Sequence, residues 1–166
     1  GTMTTYGPFA ETTPRGQTGW IDERRRPIAE HVRAVLGKLD GTSRFTFTVW
    51  RGSNPERIVV THDDDAETFI QAAGSAEAMT VEVRLRGEDG DHHLYTIGRK
   101  QTAGAGTEET VLVPIGPDRS VRVLLREIFS ADEAAEIFAA FTRTDTVPEA
   151  YARRELDLSV AQSEPR

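Results

Sequence analysis

Apolar residues recur every three or four positions in two stretches of this chain and every second position in several others. Ile28, Val32, Val35, Leu36 and Leu39 keep the helical spacing, with Glu30, Arg33 and Lys38 between them. Pro27 suits a first-turn position and Asp40-Gly41 supplies a stop, so the pattern predicts a helix over 27–39. A second helix is predicted from Ser130. Ser130-Ala131-Asp132-Glu133 has the form of a capping box, in which the serine hydroxyl accepts from the glutamate N–H and the glutamate carboxylate accepts from the serine N–H. Ala134, Ile137, Phe138 and Phe141 supply its buried stripe, and Pro148 cannot continue it.

Elsewhere the period is two. Phe45, Phe47 and Val49 alternate with Thr46, Thr48 and Trp50. Turn residues follow at Gly52-Ser53-Asn54-Pro55, then Ile58, Val59 and Val60, which predicts a hairpin. Asp63 to Ala73 reads as a short helix with carboxylates in its first turn, a Phe69, Ile70 and Ala73 stripe, and Gly74 at its end. Met79 to Arg86 alternates cleanly, Gly87 to Asp91 is a polar turn, and Leu94, Tyr95 and Ile97 begin the next strand. Gln101 to Thr107 is a small-residue loop. Val111 to Ile115 and Val121 to Leu125 flank a Gly116-Pro117-Asp118 turn, and Tyr151 and Leu156 belong to a final extended segment. The expected fold is α+β, an antiparallel sheet of about five to six strands with two to three helices packed on it. Residues 1–26 are expected to be an irregular segment, with a tag remnant at 1–2 ahead of Met3. A single domain should then span 27–158, and 159–166 should be a disordered tail.

At 166 residues, a single domain of this length can bury a core without disulfides or a metal. The absence of cysteine removes thiol nucleophiles, thiolate zinc sites and disulfide frameworks, and fits a reducing cytoplasm. No apolar run approaches a membrane span, and the first 26 residues hold no apolar signal core, so a cytoplasmic protein without membrane contact is expected. Twenty Lys and Arg against 27 Asp and Glu give a net charge of −7, which argues against a nucleic-acid partner. The excess is local. From His62 to Asp91 there are nine acids and only two bases, Arg84 and Arg86, and the rest of the chain is balanced. A helix start and a hairpin turn would gather these acids on one face that attracts a basic partner; the plainer alternative is charge that keeps the protein soluble.

Reactive constellations are sparse. His62-Asp63-Asp64-Asp65 reads as a solvated helix start, because neighbouring helical residues point in different directions and the spacing is not that of a calcium loop. His92 and His93 are consecutive on a strand and face opposite sides, and His31 lies on the polar side of the first helix. Metal ligation is therefore not expected, and neither is a cofactor. There is no Gly-x-Ser-x-Gly and no phosphate loop. Glu23-Arg24-Arg25-Arg26, unfavourably placed beside a helix start, is either a solvated run or a partner contact.

The closing third carries a resemblance. Phe129-Ser-Ala-Asp-Glu-Ala-Ala-Glu-Ile-Phe138, followed by Arg143-Thr-Asp-Thr-Val-Pro-Glu-Ala-Tyr151, resembles the end of immunity proteins from bacterial polymorphic toxin systems, in particular the large family numbered first among them. Members carry β-meander strands, a capped Ala-rich helix, Thr-Gly-x-x-Pro and an aromatic strand, and a hairpin where Phe45 to Val60 stands. Asp145 occupies the family's glycine position, and Tyr151 and Arg153 stand where a tryptophan is common. The resemblance implies a non-enzymatic cytoplasmic antitoxin that binds one cognate toxin domain and blocks its active site. The expected contacts are Asp63, Asp64, Asp65, Glu88, Asp89 and Asp91, with Trp50 or Tyr95 as an aromatic anchor if exposed, Tyr95 being the one more expected in the core. A small secretion chaperone or ligand-binding module is the alternative, and an enzyme using His and carboxylates is a third class.

Overall fold

The computed structural model of the chain describes residues 9–52, 68–101, 108–156 and 163–165. Strands β1 (Phe9–Thr12) and β2 (Thr18–Trp20) precede helix α1 (Ile28–Leu36), and β3 (Thr46–Arg51), β4 (Phe69–Gly74), β5 (Met79–Arg86) and β6 (His92–Arg99) follow. After them come β7 (Thr110–Gly116), β8 (Arg119–Leu124), a single 3-10 turn (Leu125–Glu127), α2 (Ala131–Thr144), β9 (Tyr151–Glu155) and β10 (Ser163–Pro165). The fold is α+β and its pairings are antiparallel. One sheet has the order β2-β1-β3-β4-β5-β6-β9 and a smaller one the order β10-β8-β7.

Strand alternation decides what each face of the large sheet meets. On one face Phe47, Val49, Ile70, Ala72, Val81, Val83 and Ile97 form a single core with the helices, which contribute Val32, Leu36, Ile137, Phe138 and Phe141. Phe47 stacks on Phe138 with centroids 5.8 Å apart, joining β3 to α2. On the other face a polar row crosses the whole sheet. Thr18, Thr12, Thr48, Gln71, Glu82, Thr96 and Arg154 are successive cross-strand partners, one from each strand. Beside it runs Trp20, Ala10, Trp50 and Phe69.

The 3-10 turn closes part of that second face. Gly98 lies beneath it, and a Cβ there would come within 2.9 Å of the Glu127 side chain. At α2 the capping box forms as expected, with the Ser130 hydroxyl accepting from the Glu133 N–H at 3.3 Å and the Glu133 carboxylate accepting from the Ser130 N–H at 2.9 Å. Asp145 ends the helix in the left-handed region at φ 59°, the conformation for which glycine is usual.

Four expectations need correction. Phe69 to Gly74 is a strand and not the end of a helix; Ile70 and Ala72 face the core while Phe69 and Gln71 face away, and the stretch is central with partners on both sides. The start of the proposed helix, and Ile58 to Val60 of the proposed hairpin, lie outside the described residues. The observed neighbours of β3 are β1 and β4. The N-terminal segment is not irregular throughout, because Phe9–Thr12 and Thr18–Trp20 form a hairpin whose order comes from pairing with β3, some forty residues away in sequence. Within the proposed disordered tail, Ser163–Pro165 pairs with β8. These strands take the total to ten among the described residues, with two α-helices.

Phe138 is fully buried in the stacked pair, so Phe138→Ala should lower the unfolding free energy by about 3–5 kcal/mol. Ser130→Ala, which removes only a cap, should cost about 1 kcal/mol. Urea unfolding of the two variants measures the contrast.

Candidate functional site

The β5–β6 hairpin ends in a turn built by its own backbone. The Gly87 N–H donates to the Asp91 carbonyl at 2.7 Å and the Gly90 N–H to the Gly87 carbonyl at 3.0 Å, and Gly90 takes φ 86°, which a side chain would resist. Glu88, Asp89 and Asp91 are exposed on this turn. Asp89 accepts from the Asp91 N–H at 3.0 Å and from His93 Nε2 at 2.8 Å. On its other side, His93 Nδ1 meets the Glu155 carboxylate of β9.

Both His93 partners are acceptors, so both ring nitrogens carry protons and the imidazole is a cation. Its hydrogen bonds to Asp89 and then Glu155 raise its pKa above the ordinary 6.5. The Asp91 backbone N–H and His93 hold the Asp89 carboxyl below the usual aspartate range. The turn is therefore clamped to the edge strand of the sheet.

Next to the turn lies a groove of about 630 Å³ between this end of the sheet and the C-terminal end of α2. Glu88, Tyr95, Arg51, Asp145 and Arg153 are among its lining residues. Arg51 and Asp145 form an ion pair at 3.1 Å across it, and Arg153 donates to the Thr146 hydroxyl and the Val147 carbonyl, both at 3.0 Å. Tyr95 is half-buried, packing on the core with part of its surface facing the groove.

The acids expected on one face are divided by the fold. Glu88, Asp89 and Asp91 stand together, but Glu77 belongs to the turn at the opposite end of β5. Glu82, in the middle of β5, sits in the polar row beside Arg154, where burial raises its pKa. Asp63, Asp64 and Asp65, with His62, lie outside the described residues. Trp50 is 3% exposed and packs with Ala10, Trp20 and Phe69, so it does not serve as an exposed anchor. Tyr95, the aromatic more expected in the core, is the one that lines the groove.

His31 also departs from expectation. It is not on a solvated helix face but meets Glu11 of β1, its Nε2 lying 2.6 Å from the carboxylate with the two side chains 18% and 12% exposed. Arg26 approaches the other ring nitrogen at 2.9 Å. Arginine only donates, so Nδ1 accepts and the proton sits on Nε2, donated to Glu11. Pairing places Glu11 opposite Val49, facing the helices, and no local pattern in the sequence marks it.

Among the described residues no group of His, Asp and Glu is arranged to hold a metal ion, and no helix is long and apolar enough to cross a membrane. No protein-family model, curated protein or solved structure matches the chain.

The His93 clamp has a pH signature. A raised pKa means that its contribution to stability is fully present below the ordinary histidine value and is lost as pH rises through the elevated one. Urea midpoints should fall over that window, and His93→Gln should flatten the fall. An NMR titration placing the His93 midpoint at or below 6.5 would contradict the clamp.

Proposed function

We propose that this chain is an immunity protein that works in the cytoplasm by covering the active site of one cognate toxin domain, with no reaction of its own. The observation that carries the reading is the preorganised acidic turn, Glu88, Asp89 and Asp91, beside a groove lined by the half-exposed ring of Tyr95. A turn already fixed by backbone hydrogen bonds and an imidazolium loses little freedom when it docks. Its charge suits a toxin with a basic cleft, since complementary fields speed encounter and disfavour wrong partners. Tyrosine at the centre of a contact supplies area and a hydrogen bond at low entropic cost.

Two of the four imidazoles support a binding role over a catalytic one. General acid–base chemistry needs a ring nitrogen within reach of the substrate. His31 and His93 each use both nitrogens within the protein.

The test is binding to the C-terminal domain of any secreted protein whose gene adjoins that of this chain. Nanomolar or tighter association and rescue of growth are expected. Glu88→Lys combined with Asp91→Lys should slow association about tenfold at low salt. Tyr95→Ala should raise the dissociation rate, weakening binding by about 2 kcal/mol. Association and dissociation unchanged in both variants would remove this surface from the proposal. Absence of any complex, with no rescue, would remove the immunity role.

A further inference from the structure

A second cavity, of about 390 Å³, opens between the β1–β2 turn, one flank of α1 and the chain entering β3. Arg15, Arg26, Lys38 and Arg44 line it together with His31 and Glu11. Four cations thus face one carboxylate, and that carboxylate is already occupied by His31. Among the described residues the Arg15, Lys38 and Arg44 side chains make no hydrogen bond or ion pair. Arg26 gives one edge of its guanidinium to His31 and keeps further N–H donors for the cavity. In a protein of net charge −7, this concentration of positive charge in one concavity reverses the overall balance.

We infer that this cavity binds a small phosphorylated anion. Its size is that of a small-molecule site. The uncompensated charge exceeds what one carboxylate would neutralise and suits a phosphate monoester or diphosphate. Arginine forks match phosphate oxygens two at a time, and lysine adds a point charge. The His31 bridge holds Glu11 and Arg26 in fixed positions at the floor, so the site is set before the ligand arrives. Because both His31 nitrogens are engaged, the site binds without supplying a general base. Segments remote in sequence build it, from the β1–β2 turn to Arg44, which is why the Arg24-Arg25-Arg26 run gave only a partial sign of it. It does not depend on the groove at Tyr95 or on the proposed toxin.

Inorganic pyrophosphate, titrated into the full chain by calorimetry and by amide chemical shifts, tests the inference. Saturable one-to-one binding is expected, with the largest shifts at residues 13–17, 26–38 and 44, and weakening as salt rises. Arg44→Gln and Lys38→Gln should each reduce affinity about tenfold, and the exposed pair Arg15→Gln with Lys38→Gln should reduce it further than Lys38→Gln alone without altering thermal unfolding. Citrate should bind more weakly than pyrophosphate. Absence of saturable pyrophosphate binding, affinity unchanged in the variants, or citrate binding equally tightly would each overturn the assignment.

Discussion

Glu127 keeps only 1% of its surface exposed, and an ionised carboxylate so placed is costly unless every lone pair is answered. Arg154 of β9 answers it with two nitrogens, each at 2.9 Å, and the Leu124 N–H donates at 2.8 Å. These bonds run from the last residue of the 3-10 turn, at the end of the small sheet, to the edge strand of the large one. The neighbouring Arg126 extends the junction, donating to the Arg99 carbonyl at 2.9 Å and pairing with Glu108. An apolar substitute would bury as much surface but would not set direction. The paired carboxylate does, because its bonds to the Arg154 guanidinium and the Leu124 N–H tie the turn to β9 over Gly98. The cost falls on Glu82. It faces the same guanidinium from the next-but-one strand of the polar row, and its burial is only partly offset by that shared charge.

This division of the sheet explains where binding surfaces can exist. The helix-covered face is filled by aromatic and branched side chains around Phe47 and Phe138. Both candidate sites lie at margins of that packed layer, where strands or turns pass the helix ends. One is bounded by the end of α2 and the β5–β6 turn, the other by the flank of α1 and the β1–β2 turn. At each margin a strand carboxylate, Glu11 in one and Glu155 in the other, faces the helix side, and a histidine makes the connection.

Elements whose order is local were legible in the sequence. The capping box fixes the start of α2 through contacts three residues apart, and the hairpin of Met79 to Arg86 with His92 to Arg99 carries its own alternation and turn. What escaped was order imposed from a distance. Phe9–Thr12 has too few residues to show a period and becomes a strand only by pairing with β3. Phe69, Ile70 and Ala73 fit helical spacing and a buried central strand equally well, since periodicity over so short an apolar run does not separate them. The candidate sites were half visible for the same reason. Glu88, Asp89 and Asp91 are neighbours in sequence and remain so in space, whereas Glu11, His31 and Arg44 meet only through the fold. The charge count over His62 to Asp91 failed at Glu77 and Glu82, because a strand of eight residues separates its ends by about 25 Å.

The two histidine bridges show how identical side chains acquire different charges from their surroundings. His93 lies between two carboxylates, both acceptors, and the only arrangement that satisfies them is an imidazolium. His31 lies between a carboxylate and a guanidinium, and the guanidinium forces one ring nitrogen to accept, which keeps the ring neutral. The first bridge therefore adds positive charge beneath an acidic turn and fixes it without cancelling its exposed acids, Glu88 and Asp91. The second adds none to a basic cavity while occupying its single carboxylate. In both places the imidazole joins a strand carboxylate, Glu155 or Glu11, to a second element of the fold, so one side chain holds each margin rigid.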